Sequence, residues 1–413
     1  MAILYGNAVV GQSGGPTSAI NATLAGVIRG AIEAKKAGTI ETLYGMRYGI
    51  EGCLAENFIN LTARFEENEE DLMALALTPA AALGSCRKKM KPHQDDRETY
   101  ERLFDVFKKY NIRYFFYIGG NDSMDTVYKL SEYAKICDYE IRVIGVPKTV
   151  DNDLMATDHT PGFGSAAKFV ATTTKEILRD ISVYTVKAVT IIEIMGRDAG
   201  WLTASSALPI LSGGIGPDLV YLPEVPFESE KFIEDVKRLH KTKDAVLVCI
   251  SEGARFEDGR YVGEGIQSGA VDVFGHKYLA GAGKVLEDLV KANVGCKVRS
   301  IELSLPQRCA AHIASATDID ESLTVGANAV EAAIAGKTAV MMTFVRKSNA
   351  PYSVEISTEE IRNIANAVRT VPREYINEAG NGITEDGLKY LLPLVCGEVF
   401  PSYENGMPKH IIL

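Results

Sequence analysis

At 413 residues, with 46% hydrophobic and 24% charged side chains, the chain is long enough for two or three well-buried domains of ordinary soluble character. A formal net charge of −10 disfavours a nucleic-acid or anionic-membrane role, but leaves a phosphorylated substrate open, because local lysines and arginines decide that. The seven cysteines are scattered and free of CxxC pairs, no basic region precedes the first apolar run, and no stretch reaches the length of a membrane span, so a cytoplasmic protein with reduced thiols is expected.

The apolar stretch ending at Ala8-Val9-Val10 reads as a first strand, Gly11 to Thr17 as a turn, and Ser18 to Ala34 as a helix. The charged stretch from Arg64 to Asp71 reads as a solvated surface helix or loop. Further buried strands are expected at 114–118, 141–146, 187–194, 245–250, 298–303 and 338–344. Helical patterns such as 98–110 and 164–180 lie between them. Apolar strands alternating with helices predict an α/β protein with mostly parallel sheets. No internal repeat or linker-like segment marks a boundary between the halves.

Polar and glycine-rich loops follow several of these strands, where open α/β sheets bind ligands. The richest is Pro147-Lys148-Thr149-Val150-Asp151-Asn152-Asp153. Lys148 can neutralise phosphate charge, Asp151 can take a proton from an alcohol, and Asp153 can hold a metal or orient its neighbour. The competing reading is an Asx-rich turn. Gly14-Gly15-Pro16-Thr17 has the strand–glycine–helix form of an anion cradle without Walker or dinucleotide spacing, and a purely structural turn would look the same. In Gly119-Gly120-Asn121-Asp122-Ser123, two glycines beside an acid suit a ligand with a cation nearby, Ser123 is a candidate cap of the following helix, and a plain βα loop with an Asx cap is the competing reading. Met195-Gly196-Arg197 offers a guanidinium fork, although an arginine at a strand end is more often a surface ion-pair partner, and Glu252 offers a carboxylate for sugar hydroxyls. Gln307-Arg308, Arg299 and Arg87 add candidate anion contacts, with Lys88 and Lys89 read as part of a solvated loop. The six histidines show no HxxxH or HxH spacing and no Gly-x-Ser-x-Gly elbow occurs, so zinc and serine-hydrolase chemistry have no support.

Taken in order over roughly residues 5–325, these segments resemble the phosphofructokinase family: Ser13-Gly14-Gly15, Ser85-Cys86-Arg87, Gly119 to Ser123, Pro147 to Asp153, Met195-Gly196-Arg197, Glu252-Gly253 and Gln307-Arg308. The resemblance implies magnesium-dependent phosphoryl transfer to the 1-hydroxyl of fructose 6-phosphate in glycolysis or gluconeogenesis. It implies two Rossmann-like three-layer αβα domains. Residues 1–150 would bind the donor and Mg2+, with a chain return near 300–345. Residues 151–300 would bind fructose 6-phosphate, and 345–413 would be a C-terminal extension packed on the core. By motif match Asp151 is the base, flanked by Thr149 and Asp153. Met195, Gly196, Arg197 and Glu252 line the sugar phosphate, together with Arg308 and Arg299, the latter a candidate to serve a neighbouring subunit of a homo-oligomer, a dimer or tetramer. Gly14, Gly15 and Arg87 match donor-phosphate contacts, and Asn121 and Asp122 stand beside the metal.

Asp122 and Lys148 discriminate the donor: ATP enzymes of bacterial type have glycine at both positions, and the pyrophosphate-dependent members resemble this chain, with Asp122 the sharper of the two because some ATP-dependent members also carry the lysine. A carboxylate at 122 repels the place of a nucleotide α-phosphate, and Lys148 adds charge for a small anionic donor. The expectation is therefore a pyrophosphate-dependent enzyme. An ATP-dependent enzyme and a non-catalytic phosphosugar-binding regulatory subunit are the alternatives, and the retained Asp151, Asp153 and Lys148 argue against the latter. Three departures stand out: Asn121 where aspartate is common, Leu305 and Pro306 in place of a polar residue, and Ala188 where many members carry an arginine toward the adjacent subunit.

Overall fold

The computed structural model describes residues 3–264, 281–364 and 367–413. Its main sheet is built from β1 (Gly6–Gln12), β2 (Ile40–Met46), β3 (Phe58–Asn60), β4 (Ile112–Gly119), β5 (Arg142–Pro147), β10 (Val340–Asn349) and β11 (Tyr352–Glu360). These seven strands lie in the order β11-β10-β5-β4-β1-β2-β3. The central pairs are parallel, and only β3 and β11 run antiparallel at the edges. A second sheet contains β6 (Ala188–Ile194), β7 (Leu219–Tyr221), β8 (Ala245–Ser251) and β9 (Lys297–Glu302), entirely parallel and in the order β7-β8-β6-β9.

Alternation of side chains explains the layers. On the main sheet Ala8, Val10, Tyr114 and Phe116 face one core, and Val9, Phe115 and Tyr117 face the other. On the second sheet Ile192, Leu247 and Cys249 face one core, and Val189, Ile191, Val246 and Val248 the other. Both faces of each sheet are thus covered, which is the expected three-layer αβα arrangement.

The sequence reading differs from the structure mainly at half-exposed strands. β2 alternates with Glu41 in the open, and β11 alternates along an edge, so neither shows the continuous apolar run that marks a buried parallel strand. Gly11 and Gln12 belong to β1 rather than to the turn, because β4 continues beside them at Tyr117 and Ile118. β10 starts at Val340, since the Thr338 hydroxyl accepts the Val143 N–H and Ala339 has φ 56°. It then runs past Phe344 because β11 pairs back on it. The stretch from Arg64 to Asp71 spans a helix end and the next helix start, with Arg64 paired to Asp71 at 2.6 Å.

The segment after 345 touches both halves. Val371, Ile376, Leu388, Tyr390 and Leu394 fill a core beside the second sheet. Ile411 enters a core of the main sheet, its N–H donating to the Thr78 hydroxyl at 2.9 Å.

Helices Ile20–Lys36 and Ala316–Ile334 lie side by side on the main sheet. Gly26 and Gly326 permit that approach. A Cβ at Gly26 would stand 2.0 Å from the Leu323 carbonyl oxygen, and one at Gly326 2.2 Å from that of Thr23. Neither contact can relax without moving backbone. Gly26→Ala is therefore expected to lower stability by about 1–3 kcal/mol or more, despite better helix propensity. A melting temperature equal to that of the parent would show that the helices separate freely.

Candidate active site

The carboxyl ends of β1, β4 and β5 and those of β6 and β8 open on one cleft of about 680 Å³, which the segment following β9 also lines. Lys148, directly after β5, is 3% exposed. Its N–H donates to the Gly119 carbonyl at 3.0 Å, and its Nζ donates to the Gly15 carbonyl at 2.5 Å. Burial lowers its pKa from the usual lysine value to about 8, opposed by the nearby Asp151 carboxylate. The chain then turns sharply. The Asp151 N–H donates to Thr149 Oγ1 at 3.1 Å, the Thr160 hydroxyl donates to the Thr149 carbonyl at 2.8 Å, and Asn152 takes φ 53°. This sets Thr149, Asp151 and Asp153 along the cleft wall. Burial holds the Asp151 carboxyl above the ordinary range, against the pull of Arg197 and Lys148, and burial with the Asp151 charge raises Asp153. Two neighbouring half-buried carboxyls resist ionising together, so the pair favours retaining a proton.

Gly14 and Gly15 form the wall beside Lys148. Gly14 has φ 77°, and its N–H donates to the Cys86 carbonyl at 3.1 Å. A Cβ on Gly14 would lie 3.5 Å from Lys148 Nζ, and one on Gly15 would lie 3.3 Å from an Arg308 guanidinium nitrogen. The missing side chains keep open the space in front of both cations. Arg87 lines the same wall. Lys89 does too, its Nζ 3.5 Å from an Asp122 oxygen, so the basic cluster read as a solvated loop contributes to the cleft.

Asn121 and Asp122 open the helix Asn121–Ile136 and also line the cleft. Ser123 is not the cap expected from sequence. The N-cap is Gly120, without a side-chain bond, and Ser123 is buried against the bare Gly119, where a Cβ would lie 1.9 Å from its Oγ. Asn121 Oδ1 is buried and has no hydrogen-bond partner. Among the described residues no group of three or more His, Cys, Asp or Glu side chains is arranged to hold a metal ion. One carboxylate beside one orphaned carboxamide oxygen fits a cation of the magnesium kind, which keeps waters and shares phosphate oxygens rather than requiring an all-protein cage.

The opposite wall comes from the second sheet. The Met195 N–H donates to Gln307 Oε1 at 3.2 Å, and the Gly196 N–H reaches Glu252 Oε1 at 3.4 Å. Gly196 has φ 136°, and a Cβ on Gly253 would sit 2.0 Å from the Arg197 carbonyl oxygen, so both turns require glycine. Burial, reinforced by Asp151, pushes the Glu252 carboxyl up to about 8. Arg197 and Arg308 line the cleft with Glu252, and burial beside Arg87 depresses the Arg308 pKa.

Of the residues singled out in the sequence, the structure brings Gly14, Gly15, Arg87, Asn121, Asp122, Lys148, Thr149, Asp151, Asp153, Met195, Arg197, Glu252 and Arg308 to this cleft, with Gly196 bonded to Glu252 behind it. Arg299 is the exception. It sits exposed on β9, the edge strand of the second sheet, outside the cleft of its own chain. Glu193, Glu302 and Val368 line the cleft as well, and no motif in the sequence singles them out. Glu193 lies inside an apolar strand, where only its charge could flag it. Its carboxylate accepts the N–H groups of Gly281 and Gly283 at 3.0 and 2.7 Å.

The phosphofructokinase family model matches residues 7–333, which carry both sheets up to β9. The chain belongs to the phosphofructokinase family. A protein of Halomonas elongata named pyrophosphate–fructose 6-phosphate 1-phosphotransferase is 42% identical, over 98% of this chain and 95% of its own length. One of the same name from Methylococcus capsulatus is 40% identical, over 98% and 96%. A crystal structure described as a pyrophosphate-dependent phosphofructokinase from Marinobacter aquaeolei is similar with a TM-score of 0.86 and 41% identity, covering 98% of this chain and 95% of that one. These family relatives extend the likeness past residue 333, through the C-terminal segment.

Proposed function

We propose that this phosphofructokinase-family enzyme transfers a phosphoryl group reversibly from pyrophosphate to the 1-hydroxyl of fructose 6-phosphate, giving fructose 1,6-bisphosphate and phosphate. The observation that carries the donor assignment is the buried Lys148 ammonium, set between the Gly14–Gly15 turn and Asp151 with the Asp122 carboxylate in the same cleft. The near full-length likeness to proteins named for that reaction supports it.

In this reading Gly14, Gly15, Arg87 and Lys148 bind pyrophosphate. Arg197, Arg308, Met195, Gly196 and Glu252 hold fructose 6-phosphate with its 1-hydroxyl at Asp151. Asp151 accepts that proton as the oxygen attacks the nearer phosphorus of the donor. The bond from that phosphorus to the bridging oxygen breaks, and Lys148 stabilises the charge growing on the departing phosphate. Thr149 and Asp153 orient Asp151. Asn121 and Asp122 would hold Mg2+, which when bound supplies charge neutralisation on the phosphate oxygens. Lys89 is placed to exchange Asp122 for a donor phosphate.

The reading extends to a cytoplasmic enzyme of glycolysis or gluconeogenesis that acts as a homo-oligomer, in which Arg299 serves the partner's site. The domain division is proposed as 1–150 with a return near 300–345, then 151–300, with 345–413 appended. Among the described residues no helix is long and apolar enough to cross a membrane.

The test is turnover of fructose 6-phosphate and Mg2+ with either pyrophosphate or ATP. Pyrophosphate is expected to support strong activity and ATP little, and equal turnover with ATP would reject the donor assignment. Asp122→Gly is expected to weaken pyrophosphate use and to admit a nucleotide. If ATP still fails to bind that variant, the repulsion ascribed to residue 122 is wrong.

A further inference from the structure

The turn that carries Asp151 and Asp153 is gripped from a distant part of the chain. Asn152, between the two acids, is fully buried and has φ 53°, a conformation that non-glycine residues hold only when their surroundings impose it. Its Nδ2 donates to the Tyr390 hydroxyl at 3.2 Å, and its carbonyl accepts from an Arg369 guanidinium nitrogen at 3.4 Å. The Arg369 N–H donates to the Asp153 carbonyl at 2.8 Å.

Arg369 is itself fixed. Its other terminal nitrogen donates to the Tyr390 hydroxyl at 3.1 Å, and its guanidinium lies 4.3 Å over the ring of Trp201, the single tryptophan of the chain. The Trp201 indole N–H donates to the Arg369 carbonyl at 3.1 Å. The nearby Val371 N–H donates to half-buried Glu224 at 2.8 Å, and Val368 lines the cleft. Tyr390 is anchored in turn, its hydroxyl donating to the Asp158 carbonyl at 2.6 Å and its ring lying under the Arg346 guanidinium at 4.3 Å.

We infer that Arg369 and Tyr390 are positioning residues for phosphoryl transfer: they hold Asn152 in its left-handed turn and so aim the Asp151 carboxylate at the acceptor hydroxyl. The segment beyond residue 345 is then a working part of the active site rather than an appendage. Lost grip on this turn displaces the base without removing a substrate contact. A misplacement of about 1 Å at a reacting group can cost about a hundredfold in rate. The inference rests on the proposed function only in taking Asp151 as the reacting base.

The experiment compares Arg369→Ala and Tyr390→Phe with the parent enzyme, using whichever donor the parent accepts, so that a wrong donor assignment leaves this test intact. Both variants are expected to bind fructose 6-phosphate with KM changed only a few-fold. kcat should fall about 10–100-fold for Arg369→Ala and less for Tyr390→Phe, which removes a single oxygen. Added guanidinium ion should enter the slot beside Trp201 in Arg369→Ala, shift its fluorescence saturably and restore part of kcat. The parent should show neither response. Parent-like kcat in both variants would overturn the inference. So would a loss of activity that tracks loss of folded protein in both, or guanidinium binding without any recovery of kcat.

Discussion

Asp151→Asn is expected to lower kcat by about 10²–10⁴-fold while fructose 6-phosphate binding stays near that of the parent. The asparagine keeps the shape of the side chain, and the residue 151 N–H still donates to Thr149 Oγ1, so the turn survives. In the proposed role, what disappears is the capacity to accept the hydroxyl proton, together with the negative charge. Removing one of two crowded carboxylates also lowers the electrostatic cost of the site. Asp153 and Glu252, both pushed up partly by the Asp151 charge, should then fall toward the ordinary carboxylate range. Isothermal titration with fructose 6-phosphate and single-turnover kinetics separate the two effects. A near-normal chemical step in this variant would transfer the role of base to Asp153.

The second large effect belongs to Lys148. In the proposed reading its charge serves the donor, and no other described lysine of the cleft is buried. Lys148→Met should lower kcat/KM for pyrophosphate by about 10²–10³-fold, the usual loss when a preorganised donor to a developing anion is removed. The wild-type pH profile carries an independent signature. Burial brings the folded pKa of Lys148 down to about 8, so the ammonium is present below that pH and lost above it. kcat/KM, which reports the free enzyme, should decline as pH rises through about 8. Bound phosphate favours the charged form, so the corresponding limb of kcat should lie at higher pH. In Lys148→Arg the cation cannot titrate, so the part of this limb due to residue 148 should vanish and only that of Glu252, also near 8, should remain, although the bulkier fork lowers the rate. A wild-type kcat/KM that stays flat far into the alkaline range would show that the Lys148 charge does not govern donor use.

Much of the fold and of the site is legible in the amino-acid sequence. Continuous apolar runs in β4, β5, β6 and β8 announce strands covered on both faces, and polar loops at their carboxyl ends announce a site. Residue type supplies the capacities of Lys148, Asp151 and Glu252, and the ordered resemblance to the phosphofructokinase family is what joins them in one chemistry. Glycine is equally legible, since Gly14 and Gly196 stand where the backbone takes positive φ.

The tertiary structure decided what depends on contacts between distant segments. By sequence Arg299 belongs with the substrate arginines as a candidate to serve a neighbouring subunit, and the fold places it part-way along the edge strand β9, exposed and short of the carboxyl end that opens on the cleft of its own chain. Ser123 has the chemistry of a cap, yet the bare Gly119 beside it decides where it packs. Lys89 is a surface lysine, as its sequence suggests, and only the fold sets it 3.5 Å from Asp122. Arg369 lies 217 residues from Asn152, and no local pattern can announce a partner at that distance. Local sequence determines backbone propensity, burial period and the chemical capacity of each side chain. Which capacities meet is set by the packing of the two sheets and the returning C-terminal segment, because only that packing brings those groups within hydrogen-bonding and Coulombic range.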